Sequence, residues 1–110
     1  MSNNIKQYNK LVRDKIPEII EQSGSKCKVR ILNENEIKLE LRKKLVEEAN
    51  EVLVEKEDLI NELADMLEIV EGIAQAEKID MQTIKEKQIE KHNKRGGFTK
   101  GLFLEWAEEN

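Results

Sequence analysis

Two short stretches of this chain concentrate carboxylates, Glu47-Glu48-Ala49-Asn50-Glu51 and Glu62-Leu63-Ala64-Asp65, and both fall inside strongly helical sequence. On a helix turning about 100° per residue, Leu41, Ala49 and Val52 lie within about 40° of Leu45 and form one apolar stripe. Glu48 then stands about 60° from the centre of that stripe, Glu51 about 60° further round at its rim, and Glu47 points almost directly away. The same construction centred on Leu63 gathers Leu59, Met66, Leu67, Val70 and Ala74, with Glu62 at about 100° among Met66, Ile69 and Ile73 and Asp65 at the stripe's edge.

Amphipathic helices adjacent in sequence bury their stripes against each other, and here that brings Glu48, Glu51, Glu62 and Asp65 across one helix pair. Such a cluster calls for protons or a cation. Two carboxylates about 5 Å apart repel by roughly 3 kcal/mol at an effective dielectric of about 20, so either some stay protonated or a metal neutralises them. With no histidine or cysteine in either stretch, the all-oxygen donor set selects a hard ion, Mg²⁺ or Mn²⁺, over Zn²⁺. Magnesium held by a few carboxylates commonly also meets substrate phosphates. The competing reading is compositional. Charged residues make up 38% of the chain, which alone places acids near many apolar stripes, and Glu71 has no assignable role.

The pattern E-E-x-x-E followed by E-x-x-D resembles the signature of the MazG-like all-α nucleotide pyrophosphohydrolases, relatives of all-α dUTPases and of phosphoribosyl-ATP pyrophosphohydrolase. The opening Tyr8-Asn9-Lys10-Leu11-Val12-Arg13-Asp14-Lys15-Ile16-Pro17 and the late Lys91-x-x-x-Arg95-Gly96-Gly97-Phe98 extend the resemblance over most of the chain. They look like the phosphoribosyl-ATP pyrophosphohydrolase-like branch. The resemblance implies an antiparallel helix bundle and metal ligands at Glu48, Glu51, Glu62 and Asp65. That set agrees with the helical wheel, which turns Glu47 away without reference to any family. Arg13 and Lys10 are candidate phosphate contacts on the resemblance alone, while Asp14 can organise the N-terminal segment or pair with Arg13.

A second chemical feature lies further along. Lys87, Lys91, Lys94 and Arg95 recur at i, i+4, i+7 and i+8, one face of a helix. A cationic stripe beside a metal-loaded acidic site suits a polyphosphate; the alternative is a solvated basic face favoured by the helix dipole. His92, the only histidine, has no Ser, Cys or Asp arrangement suggesting nucleophilic catalysis. Trp106, in an acidic tail, either stacks on a base or closes a core or an interface.

These groups need helices to position them. Pro17 suits the start of a short helix ending by Gly24. Cys27–Leu32 alternates apolar and basic residues and reads as a half-exposed strand. Asn33 with Glu36 three residues on marks the capped start of a long helix to about Glu55. A turn at Lys56–Asp58 leads to a third helix over Leu59–Glu77, and Asp80 caps a fourth that ends at Arg95 before Gly96 and Gly97. Phe98–Leu104 is a second strand candidate to pair with the first, a pair that needs helix cover or strands from another subunit. The expected fold is therefore mainly α, a helix bundle with one short strand pair, in one domain spanning all 110 residues.

The apolar arc around Leu63 spans about 220°, wider than the roughly 100° of a surface helix, which predicts a partner copy in a dimer or tetramer. A net charge of −4 argues against nucleic acid as the main ligand. No apolar run approaches the length of a membrane span and the first residues contain no apolar signal core, so the expected location is cytoplasmic. The lone Cys27 reads as a reduced, ordinary residue.

The function expected from these features is Mg²⁺-dependent hydrolysis of a nucleoside triphosphate to a monophosphate and pyrophosphate. One alternative is phosphoribosyl-ATP pyrophosphohydrolase, against which Met66-Leu67-Glu68-Ile69-Val70 lacks the tyrosine and histidine that family resemblance leads one to expect after Asp65. The other is a helical interaction module that binds no productive metal.

Overall fold

The structure is a computed structural model describing residues 4–109. It contains four helices: α1 (Ile16–Gln22), α2 (Glu34–Val54), α3 (Leu59–Ala76) and α4 (Met81–Arg95). The protein is mainly helical, and no strand occurs among the described residues. The strand pair expected at 27–32 and 98–104 is thus corrected: both segments are irregular and almost wholly exposed. The physical reason is cover. Apolar–basic alternation marks a segment fit to be half-buried, but two short strands without a third or a helix above them gain too little to hold a ladder. Gly101 at φ 62°, with its N–H donating to the Phe98 carbonyl at 3.1 Å, bends the second segment into a turn instead.

Capping chemistry sets the helix ends. The Asn33 side chain accepts the Glu36 N–H at 2.9 Å while the Asn33 N–H donates to Glu36 Oε1 at 3.1 Å, a reciprocal capping box at the start of α2. Arg30 adds an ion pair to Glu36 at 3.0 Å and, with the Asn33 N–H, holds that carboxyl below its ordinary range. At the far end of α2, Glu55 Oε1 accepts the N–H groups of Glu57 and Asp58, both at 3.0 Å, and tightens the connection to α3. Asp58 caps α3. Helix α3 leaves through Lys78 at φ 58°, a left-handed exit that glycine makes more easily. Asp80 accepts the Gln82 N–H at 2.8 Å to open α4, and Gly96 at φ 82° closes it.

The chain groups into two compact units, one ending at Lys78 and the other beginning at Ile79. The first is organised by an antiparallel α2–α3 hairpin. Its pairing order is visible in three contacts: Arg42 reaches Glu77 at 2.8 Å, Leu41 packs on Gly72, and Glu48 faces Glu62. A Cβ at position 72 would stand 3.1 Å from Leu41 Cδ2, so the glycine permits the close approach. The face of α3 turned to α2 carries Glu62, Asp65, Met66, Ile69 and Ile73 at i, i+3, i+4, i+7 and i+11, with Ile69 buried. Part of the stripe centred on Leu63 stays uncovered, with Leu63 45% and Leu67 65% exposed and Ile60 beside it at 85%, while Ala74 of the same stripe is buried. The second unit holds α4 and the segment after it, in which Phe98, Leu102, Phe103, Leu104 and Trp106 are all exposed. Among the described residues no helix is long and apolar enough to cross a membrane.

Candidate metal centre

At the end of the hairpin where α2 finishes and α3 begins, Glu48, Glu62 and Asp65 each present a carboxylate oxygen within 4.8 Å of the others, all three residues half-buried. Helical spacing explains the convergence. Glu62 and Asp65 are one turn apart on the packing face of α3, and Glu48 extends the α2 stripe of Leu41, Leu45 and Val52. Two oxygens on one octahedral Mg²⁺ stand about 3 to 4 Å apart, a separation of the same order as that between these carboxylates.

Glu48 Oε1 is shut off from solvent and has no hydrogen-bond partner, although the Glu62 carboxyl lies against it. Two ionised carboxylates cannot satisfy each other; the contact closes only with a proton or a cation between them. Accordingly Glu62 is pushed up to about 7, first by the hydrogen bond to Glu48 that only its protonated form can make, then by burial, then by the charges of Glu48, Asp65 and Glu55. Its place in the first turn of α3 favours the anion through the helix dipole, and the hydrogen bond to Glu48, burial and the neighbouring charges together outweigh that preference. The orphaned buried oxygen, the shared proton and the all-oxygen donor set fit a hard divalent cation.

The other expected ligand, Glu51, is exposed and does not join this group. The further 60° of helix rotation that sets it off from Glu48 carries it out of the interhelical cleft. Glu47 is exposed and outside the group, as its phase requires. Arg13 binds within the acidic site itself: its Nη2 donates to Asp65 Oδ1 at 2.7 Å. Asp14, the nearer acid in sequence, is not the one it chooses. No local pattern could have revealed that pairing across 52 positions. Glu55 was also not anticipated as a neighbour of the site, although its position before Glu57-Asp58 is where a loop-closing acceptor is useful.

Lys10 lies with its Nζ 5.7 Å from the centroid of the Tyr8 ring, and Lys6 sits over the same ring at 5.0 Å. On α4, Lys87 and Lys94 both pair with Glu90, at 3.1 and 3.7 Å. Lys91 and Arg95 are exposed. Lys91 lines a shallow hollow with Thr83, Ile84, Lys87 and Gln88, and Arg95 borders a second of about 340 Å³ formed by the loop to Leu102. Within its own unit α4 thus presents the basic face expected of it, partly neutralised by Glu90. His92, Lys94 and Arg95 crowd its last turn, where the dipole favours cations.

Comparison of the chain with protein-family models, with curated proteins and with solved structures gives no match.

Proposed function

We propose that the protein is a Mg²⁺-dependent nucleoside triphosphate pyrophosphohydrolase, cleaving between the α and β phosphates to release a monophosphate and pyrophosphate. The observation that carries this reading is the meeting of Glu48, Glu62 and Asp65 around a buried, unpartnered Glu48 oxygen. The resemblance of the two acidic motifs to the MazG-like enzymes supplies the reaction.

Glu48, Glu62 and Asp65 hold the ion in this proposal, with Mn²⁺ as a substitute. A divalent cation bound there supplies Lewis acidity toward a phosphate oxygen and makes a bound water more acidic. The chain's own contribution is to fix the three carboxylates on two capped helices, so that little reorganisation accompanies binding. Glu62 is the group best suited to exchange a proton near neutral pH. Arg13 stands at Asp65 and is the candidate phosphate contact within the same unit, while Lys91, Lys94 and Arg95 are proposed as substrate contacts from their own basic face on α4 and the resemblance, not from any placement beside the carboxylates. The uncovered apolar side of α3, with Ile60 and Leu67 exposed, supports self-association into a dimer or tetramer.

The test is a panel of ribo- and deoxyribonucleoside triphosphates and phosphoribosyl-ATP with Mg²⁺, with pyrophosphate and orthophosphate detected separately. Pyrophosphate from a triphosphate is the expected product. Turnover of phosphoribosyl-ATP alone assigns the histidine-biosynthetic reaction instead, and no turnover across the panel sinks the enzymatic reading.

A further inference from the structure

Resting on that reading of the carboxylates, we propose that Arg13 is a built-in counter-ion of the metal site, holding Asp65 while no divalent ion is present and yielding it when one binds. Three observations lead there. The Arg13–Asp65 contact is short, 2.7 Å, and joins the segment before α1 to the first turns of α3. Among the described residues no other lysine or arginine forms an ion pair with Glu48, Glu62 or Asp65. The pair is also accessible, with side chains 56% and 34% exposed, so the guanidinium can leave without unpacking a core.

Charge decides the direction of the effect. A divalent ion entering the cluster meets a guanidinium already at one of its three carboxylates, and like charges at this range oppose each other. Arg13 therefore weakens metal binding in the absence of substrate. Once displaced from Asp65, its planar fork of donors is suited to the oxygens of a phosphate brought in with the ion. A lysine keeps the charge, whereas glutamine and methionine remove it, the first with a shorter polar side chain and the second with an apolar one.

The experiment is titration of Mn²⁺ into metal-free protein with no nucleotide, reading unbound Mn²⁺ by electron paramagnetic resonance, for wild type, Arg13→Gln, Arg13→Met and Arg13→Lys. Helical circular dichroism verifies that each variant is folded. Both neutral variants should bind Mn²⁺ about tenfold more tightly than wild type, and Arg13→Lys should stay within about twofold of it. Equal or weaker binding in the neutral variants, or Arg13→Lys tracking them, overturns the counter-ion role while leaving the carboxylate site intact. Absence of Mn²⁺ binding in wild type and in every variant overturns the site and this role together.

Discussion

Replacing Glu62 with glutamine should erase a proton-linked signature that no ordinary surface glutamate can produce. With the carboxyl pushed up to about 7 by Glu48, burial and the neighbouring charges, about 0.9 of a proton resides on it at pH 6 and about 0.1 at pH 8, whereas a glutamate at its usual value holds under about 0.05 at pH 6. Metal ligands must shed their protons. Divalent-ion binding by the wild type should therefore release about 0.9 proton per ion at pH 6 and about 0.1 at pH 8, counted by titration calorimetry in two buffers of different ionisation enthalpy. The same shift has a stability consequence in the metal-free protein. A carboxyl whose folded value lies above its unfolded one binds more protons in the native state, so its contribution is fully present below about pH 4.5 and is lost as pH rises through about 7. The lowered values of Glu36, Glu55 and Glu77 act with the opposite sign, their stabilisation being lost as pH falls through and below the ordinary carboxylate range. The window from about pH 5.5 to 7.5 thus isolates Glu62 among these shifted groups. Across it the wild-type melting temperature should fall as pH rises, and that of Glu62→Gln should stay level. Parallel profiles for the two proteins, or no proton release at pH 6, would refute the proton shared between Glu48 and Glu62.

Three further outcomes test the fold around the site. The uncovered side of α3 should bury itself between copies, so light scattering at micromolar concentration should give a dimer or tetramer; an active monomer would show that this surface serves something else. Asn33→Ala removes the acceptor of the capping box at the start of α2 and should cost about 1 kcal/mol in denaturant unfolding; no loss would mean the cap is replaced by water. Lys78→Gly relieves a left-handed backbone at φ 58° and should raise stability by about 1 kcal/mol, and a decrease would show that the lysine side chain holds the helix exit in place.

The helices were legible because their ends are written locally. Asn33 with Glu36, Asp58, Asp80 and Gly96 each satisfy orphaned backbone groups within a few residues, and the ends of α2, α3 and α4 followed within a residue or so. The convergence of Glu48 with Glu62 and Asp65 was legible for the same reason, since helical phase is a local property. What phase could not supply was which part of a wide apolar arc faces the partner helix. Leu63 looked central, yet it is 45% exposed, and the residues α3 buries are Ile69 and Ala74. Strands at 27–32 and 98–104 failed for lack of cover, which alternation does not encode. The Arg13–Asp65 pair was illegible outright, being a product of how the N-terminal segment lies over α3.

The most direct test of the account compares two neighbours that composition cannot tell apart, Glu47 and Glu48, in Mg²⁺-dependent release of pyrophosphate from a nucleoside triphosphate. Glu48 contributes the buried, unpartnered oxygen of the carboxylate group, and Glu47 is exposed on the far side of α2. Glu48→Gln should abolish pyrophosphate release while the protein stays folded. Glu47→Gln should do far less, losing at most about 10 to 100-fold if it orients a ligand or holds a basic residue. Survival of activity in Glu48→Gln together with its loss in Glu47→Gln would contradict the helix phase, the packing face and the ligand assignment at once.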